Sequence, residues 1–241
     1  MSASAIRVHD RRASPATFAE EMLQGLAAHP KHLAPKYFYD ERGSRLFDAI
    51  CELPEYYLTR TEMAILESCA EEVVQLAGSG CTLIEFGSGA SRKIRLLLET
   101  LRPRHYLGID ISREFLIESA RRLAAEYRWL EVHAGCADFS RAFDVSDATI
   151  DGRRLVFFPG STIGNFEPYE ALTFLQRVRR LVGPDGALLI GVDLKKDPRI
   201  LHNAYNDRQG ITAAFNLNLF ERLRRELGAE LDLDGFRHRA V

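Results

Sequence analysis

The hydrophobic pattern of the chain changes character near residue 80. Before that point, apolar residues recur at helical spacing between prolines and glycines, and Thr59-Arg60-Thr61-Glu62 has the form of a capping box. Beyond it, short apolar runs alternate with amphipathic stretches. The first part predicts helices near 15–28, 44–51 and 59–77. The second predicts strands near 81–86, 105–110, 129–134, 154–159 and 187–193, with helices near 91–101, 112–127 and 168–182.

Short apolar strands joined by helices are typical of a parallel, doubly wound sheet. We therefore expect an α/β protein with a Rossmann-like core over residues 81–195. The region 1–80 is expected to be helical and to contribute to a cap. The segment 196–241, which has a helical pattern from Asp197 to Leu227, is expected to form the rest of that cap.

The first strand of this core ends in a glycine-rich turn. Glu85-Phe86-Gly87-Ser88-Gly89 closes the strand, and Asp110 closes the next one, 21 residues after Gly89. Glycines let the backbone turn tightly against a ligand, and a carboxylate at the neighbouring strand end can accept ribose hydroxyls. The third glycine that seats a pyrophosphate in G-x-G-x-x-G is absent. The pattern thus favours S-adenosylmethionine (SAM) over NAD, although a similar turn also occurs without a ligand.

Four further polar or aromatic residues follow predicted strands or open helices. Asp138 and Phe139 can take the adenine amino group and cover the adenine ring, or Asp138 can cap a helix. Asn165 can accept hydrogen bonds from a substrate amine, or it can be a left-handed or helix-capping residue. Lys93 lies at a helix start, where a cation gains nothing from the helix dipole. It indicates either an anionic partner, such as the methionine carboxylate, or a solvated lysine.

Composition excludes several classes of function. A net charge of −2 argues against nucleic acid or a membrane surface as the main partner. The four cysteines form no C-x-x-C pair, and no apolar run has the length of a membrane span. The seven histidines lack H-x-x-x-H spacing, so no metal site is predicted. We expect a cytoplasmic, monomeric protein that acts on a small molecule.

Several segments closely resemble the histidine-specific SAM-dependent methyltransferase family. The resemblance runs from about residue 15 to the end of the sequence and implies a class I methyltransferase fold with a helical substrate-binding cap. It implies transfer of up to three methyl groups from SAM to the α-amino nitrogen of L-histidine. The product is trimethylhistidine (hercynine), for ergothioneine biosynthesis. The segments that carry it are Pro35–Ser44, Leu53–Glu62, Glu85–Lys93, Gly160–Asn165, Ala204–Asp207 and Thr212–Asn216.

The resemblance also implies roles for individual residues. It implies histidine recognition by two tyrosines at the carboxylate, Tyr56 and Tyr205, and by Asn165 at the α-amino group, with Asn165 and Tyr56 as the catalytic pair. Tyr39 is implied near the methionine end of SAM. The remaining residues implied for SAM are Gly87, Lys93, Asp110, Asp138 and Phe139.

One departure from the family concerns the end of the sequence. Family members continue beyond Val241, with strands that complete the sheet and with an acidic residue and a serine that recognise the imidazole. We therefore expect C-terminal strands of the fold to be missing here and Ala187–Val192 to have an open edge. Two alternatives remain: an N-methyltransferase of another amino acid, and an inactive, truncated SAM-binding protein.

Overall fold

A computed structural model describes residues 6–11, 15–90, 92–141 and 152–240. The chain forms two compact units. The first consists of the described residues within 1–12 and 58–193, and the second of those within 13–57 and 194–241. No helix in these four ranges is both long enough and apolar enough to cross a membrane.

The first unit is built on a six-stranded parallel sheet. Its strands lie in the order β1-β4-β3-β2-β5-β6, and every neighbouring pair is parallel. This arrangement confirms the predicted α/β fold, and β6 lies at one edge of the described sheet. The strands are β1 (Arg7–Arg11), β2 (Thr82–Phe86), β3 (His105–Asp110), β4 (Glu131–Ala137), β5 (Arg154–Phe158) and β6 (Ala187–Ile190).

Apolar side chains cover both faces of this sheet, because alternate residues of each strand point to opposite sides. Leu83 of β2 joins a core with the helices on one face, whereas Ile84 packs on the other face with Phe174 and Val178. The sheet is therefore buried on both faces, as a parallel sheet must be. The helices of this unit are α3 (Tyr57–Ala77), α4 (Ile94–Leu101), α5 (Arg113–Glu126) and α6 (Pro168–Val182).

Three predictions for this unit are wrong. Strand β1 was not predicted, because its sequence Arg7-Val8-His9-Asp10-Arg11 is mostly polar, as edge strands often are. Strand β4 begins at Glu131 rather than 129, because a turn bonds the Leu130 N–H to the Tyr127 carbonyl. Helix α3 begins at Tyr57, so the supposed capping box lies inside the helix. Ser91, the predicted start of another helix, lies outside the described residues.

The second unit is helical, and its core joins the two stretches of sequence that form it. Phe18 and Met22 pack with Leu219 and Leu223 around the ring of Tyr37. Its helices are α1 (Pro15–Ala27), α2 (Glu41–Ile50), α7 (Pro198–Tyr205) and α8 (Ile211–Leu227), with 3₁₀ turns at Pro35–Phe38 and Leu233–Gly235.

Asp40 fixes the start of α2 in this unit, which is why the helix begins at Glu41 rather than near Ser44. Its Oδ1 accepts hydrogen bonds from the Gly43 N–H and from Asn218 Nδ2 of α8, both at 2.7 Å. Its Oδ2 accepts one from Arg225 at 2.5 Å. Burial by itself would raise the pKa of Asp40, but the bonds from Gly43 and Arg225 lower it. A single carboxylate thus caps α2 and ties it to α8.

Candidate functional site

The turn after β2 exposes backbone at the carboxyl end of the sheet. Gly87 and Gly89 have φ values of +69° and +46°, a region that favours glycine. The Gly87 N–H donates to the Ile109 carbonyl at 2.8 Å, which ties the turn to β3. A Cβ at Gly87 would meet no atom within 4 Å. The predicted glycine turn therefore has open space on its outer side, as a ligand requires.

Asp110 ends β3 beside this turn. Its Oδ2 accepts a hydrogen bond from the Gly89 N–H at 3.1 Å, and its Oδ1 accepts one from the Ser112 N–H at 2.9 Å. Burial raises the pKa of Asp110, and these backbone donors only partly offset it. The carboxylate thus holds both the turn and Ser112, the residue that precedes α5, while each oxygen keeps a second lone pair for a ligand hydroxyl.

Beneath the turn lies a buried carboxyl group whose role sequence reasoning missed. Glu85 is 2% exposed and accepts a hydrogen bond from Tyr106 Oη at 2.5 Å. Burial raises the pKa of Glu85 to about 8, against the lowering effect of Tyr106 and of the Lys93 charge. A Cβ at Gly108 would lie 2.8 Å from that Tyr106 oxygen, so a larger residue there would have to displace the Tyr106 side chain. The only available signal was a glutamate inside an apolar strand.

Lys93 lies just before α4 and forms an ion pair with Glu62 of α3. Both side chains are mostly buried, which excludes the solvated-lysine alternative. Glu62 also accepts a hydrogen bond from the Gly160 N–H at 2.9 Å, and a Cβ at Gly191 would overlap Glu62 Oε1. Glu62, which the sequence assigned to a capping box, therefore joins α3 to the residues that follow β5 and β6. The Lys93 ammonium retains two further donors.

Asp138 follows β4, and its side chain is bonded within its own turn. Oδ1 accepts hydrogen bonds from the Ser140 N–H at 3.0 Å and from Ser140 Oγ at 2.5 Å. Oδ2 lies 3.5 Å from Arg141 Nε. No α-helix follows within the part of this connection that the structure describes, so Asp138 stabilises a turn rather than a helix there.

Phe139 belongs to an aromatic cluster at the ends of β2 and β5. Its ring centroid lies 5.7 Å from that of Phe86, 5.8 Å from that of Phe158 and 6.2 Å from that of Phe174. Such spacings are typical of tilted and edge-to-face aromatic pairs. Phe139 is partly exposed, so one part of its ring packs in the core while another part remains accessible.

Asn165 ends the 3₁₀ turn Thr162–Asn165, after β5. Its side chain is exposed and makes no hydrogen bond to any residue that the structure describes. The residues of this loop with positive φ are Gly160 and Ser161, at +78° and +56°, and Glu167 caps α6, its N–H donating to Glu170 Oε2 at 2.9 Å. Neither structural alternative for Asn165 holds, so its amide group is available to a ligand.

The three tyrosines implied by the resemblance all belong to the second unit, where they share an aromatic cluster. Tyr39 contacts Phe47 and Phe215 edge-on, with centroid distances of 5.5 and 5.4 Å. Tyr56 lies 5.9 Å from Tyr205, with the rings nearly perpendicular. Tyr56 is 6% exposed and Tyr205 is 39% exposed, so this pair has one buried and one accessible member.

The structure thus places six of the predicted residues at the carboxyl end of the sheet in the first unit. They lie at the ends of β2, β3, β4 and β5 or in the connections that follow, where parallel sheets bind their ligands. They are Gly87, Lys93, Asp110, Asp138, Phe139 and Asn165. A parallel sheet with a two-glycine turn, an acidic residue at the next strand end and an aromatic group after the third defines a class I methyltransferase fold.

Comparison with known proteins assigns the family. Residues 18–241 match the family model described as histidine-specific methyltransferase, SAM-dependent. A histidine N-alpha-methyltransferase from Mycolicibacterium smegmatis is 44% identical over 222 residues, which cover 90% of this chain and 68% of that protein. The chain therefore belongs to the histidine-specific, SAM-dependent methyltransferase family.

Two further similarities are weaker. Ergothioneine biosynthesis protein 1 from Neurospora crassa is 36% identical over 212 residues, which cover 86% of this chain and 24% of that protein. The SAM-bound structure of an amino pentose methyltransferase from Micromonospora echinaspora is 16% identical, with a TM-score of 0.43, and the match covers 62% of this chain and 56% of that one.

Proposed function

We propose that this protein transfers methyl groups from SAM to the α-amino nitrogen of L-histidine, up to three times, to give hercynine for ergothioneine biosynthesis. One observation carries the proposal: the 44% identity to a histidine N-alpha-methyltransferase extends over 90% of the chain. The exposed amide of Asn165, at the sheet edge that holds the glycine turn, is the geometric feature that supports it.

The first unit fits an adenosine and a methionine chain. In this proposal the open backbone at Gly87 approaches the ligand and Asp110 accepts the ribose hydroxyls. Asp138 takes the adenine amino group, with Phe139 against the ring. Lys93, held by Glu62, directs its remaining donors at the methionine carboxylate. Tyr39 of the second unit is assigned to the methionine end.

Substrate roles are assigned to three residues. Tyr56 and Tyr205 donate their hydroxyl hydrogens to the histidine carboxylate. Asn165 accepts hydrogen bonds from the substrate amine through its side-chain oxygen, which orients the nitrogen lone pair. Tyrosine faces stabilise the ammonium charge that grows with each transfer.

SAM supplies a methyl group on a sulfonium: the amine forms the new C–N bond as the C–S bond breaks, and the electron pair stays on sulfur. The protein contributes orientation, and well-oriented groups can account for about 7–11 kcal/mol of a reaction barrier. Asn165 accepts hydrogen bonds from the N–H groups of the neutral amine and thereby directs its lone pair at the methyl group. After each of the first two transfers the new ammonium releases one proton to water, whereas the third transfer gives a quaternary ammonium that has none to release. Glu85 is buried and bonded to Tyr106 and takes no part in this step.

A product assay tests this proposal. The purified protein is incubated with SAM and one amino acid at a time, and the products are identified by mass spectrometry. We expect mono-, di- and trimethylated histidine and no product from any other amino acid. Turnover of another amino acid in the absence of histidine would replace the proposal with that substrate. SAM binding without any turnover would support the inactive alternative.

A further inference from the structure

A second cluster of ionisable side chains lies in the first unit, at the amino ends of its strands. His105 is the first residue of β3 and Glu131 is the first residue of β4, and the two are direct neighbours in the parallel register. His133 follows two residues later on β4, so it lies on the same face as Glu131. No residue of this cluster takes part in the proposed methyl transfer.

The three side chains direct their donor atoms at one point. His133 Nε2 lies 3.1 Å from Glu131 Oε1, and His105 Nδ1 lies 3.3 Å from Glu131 Oε2. The ligand atoms of all three lie within 4.8 Å of one another. His105 Nδ1 is buried and forms no hydrogen bond within the described parts of the chain. Its contact with Glu131 is an ion pair only when the imidazole is protonated, and the neutral ring has an unused lone pair or proton that a bound ion can satisfy.

His9 of β1 supports the inner histidine. Its Nε2 lies 3.2 Å from His133 Nδ1, and the two rings are stacked with centroids 5.5 Å apart. In the tautomer in which Nδ1 of His133 donates to His9, Nε2 of His133 presents its lone pair to the cluster. Histidines that bind metals are commonly oriented in this way, by a hydrogen bond at the other ring nitrogen.

We propose that His105, Glu131 and His133 bind one Zn²⁺ ion, with His9 as a positioning residue. Two imidazole nitrogens and a carboxylate, with water at a fourth position, are an established zinc ligand set. Tetrahedral bonds of about 2.0–2.2 Å separate ligand atoms by about 3.3–3.6 Å. The two nitrogen-to-carboxylate distances of 3.1 and 3.3 Å are close to this range, and the full set, within 4.8 Å, closes slightly around an ion. The Glu131 side chain is 40% exposed, so an ion can enter from solvent.

Arg7 is the cation that competes for this carboxylate. Its guanidinium lies 3.3 Å from Glu131 Oε1, but its side chain is 59% exposed. Exposed ion pairs contribute little to stability, so zinc displaces this contact easily. The helical spacings by which metal sites are usually found do not detect this cluster, because its residues come from neighbouring strands.

Zinc titration of the untagged, chelator-treated full chain tests this inference. We expect one Zn²⁺ per chain by calorimetry and visible absorption bands of tetrahedral Co²⁺ when cobalt replaces zinc. Because loss of a group that only orients a ligand typically costs about 10–100-fold in metal affinity, Glu131→Gln and His105→Gln should cost at least that much. At about 100 times its dissociation constant, zinc should raise Tm by about 5–10 °C.

His202→Gln is the matched control, because His202 is an exposed histidine of α7 in the second unit. It should bind zinc as the unmodified protein does. Absence of stoichiometric binding would overturn the inference, as would unchanged affinity in a folded Glu131→Gln variant. Loss of binding on alkylation of the cysteines, with the histidine variants unaffected, would assign the ion to thiols and also overturn it.

Discussion

Two carboxyl groups at the glycine turn of the first unit and two helix-capping carboxyl groups of the second unit differ in what their surroundings do to their charge. In the first unit, burial raises the pKa of Glu85 to about 8 and also raises the pKa of Asp110. In the second unit, hydrogen bonds overcome burial and lower the pKa of Asp40 and of Asp207. Asp40 and Asp207 therefore stabilise the fold as charged groups, whereas Glu85 and Asp110 become charged only at a cost in free energy.

This difference separates the carboxyl groups that cap helices from a carboxyl group that is available to a ligand. Asp207 caps α8 through the Ile211 and Thr212 N–H groups, at 2.9 and 2.8 Å, much as Asp40 caps α2. Ionisable groups with shifted pKa values are concentrated at functional sites, and Asp110 lies among the residues assigned to SAM. The four predictions below test the proposed site and this contrast, from the largest expected effect to the smallest.

Asn165→Ala should have the largest effect, because it removes the proposed contact with the substrate amine. The variant should still fold, because the side chain is exposed and makes no hydrogen bond to the described residues. We expect methyl transfer to histidine to fall about 10²–10³-fold, the usual consequence of removing one oriented catalytic dipole. Affinity for SAM should remain nearly unchanged. Steady-state kinetics and calorimetry measure the two separately. Asn203→Ala, at an exposed position of α7, is the control. Loss of SAM binding in Asn165→Ala, with unchanged turnover per bound SAM, would show that Asn165 belongs to the SAM site.

Asp40→Ala should destabilise the protein by about 3 kcal/mol, since a helix cap and two side-chain bonds are lost together. Because the folded pKa of Asp40 is lowered, its contribution is present at neutral pH and is lost as pH falls through that pKa. Urea unfolding at pH 7 and pH 3 measures both effects. Asp40→Asn, which keeps a capping side chain, should lose less. Equal unfolding free energies for Asp40→Ala and the unmodified protein at pH 7 would contradict the assignment.

Glu85 should make stability depend on pH in the opposite direction. Its raised pKa means that the contribution of protonated Glu85 to stability is complete below the pKa of the unfolded state, about 4.5. That contribution is lost as pH rises toward the folded pKa of about 8. We expect the unfolding free energy to fall by about 2–3 kcal/mol between pH 5 and pH 7 from this group. Glu85→Gln should flatten that slope, whereas exposed Glu114→Gln should not. An unaltered slope in Glu85→Gln would contradict the pKa assignment.

The sequence predicted much of this sheet, because four of its six strands are apolar runs that end in turn signals or acidic residues. Asp110 and Asn165 were both selected as candidate site residues from their positions after such runs. Glu62 was misassigned, since a capping-box pattern cannot show that the helix already began at Tyr57. Strand β1 and its contact with His133 were missed, because the pairing residues are separated by more than a hundred positions.

The tyrosines illustrate a different limit. Nothing in local spacing distinguishes Tyr39, Tyr56 and Tyr205 from ordinary core aromatics, and only family resemblance drew attention to them. Their shared cluster around Phe47 and Phe215 depends on contacts between α2 and the helices near the end of the chain. Such contacts are set by tertiary packing and leave no periodic trace in the sequence.

The most direct test compares SAM affinity and stability in Asp110→Asn and Asp40→Asn, measured by calorimetric titration and urea unfolding. Loss of a charged acceptor should weaken SAM binding by Asp110→Asn about tenfold. Its unfolding free energy should fall less than that of Asp40→Asn, because asparagine keeps one of the two backbone bonds and removes a buried charge whose pKa burial raises. Asp40→Asn should lose stability and keep its affinity for SAM. The opposite pattern, or unchanged affinity in folded Asp110→Asn, would contradict the claim that the carboxyl end of this sheet binds SAM.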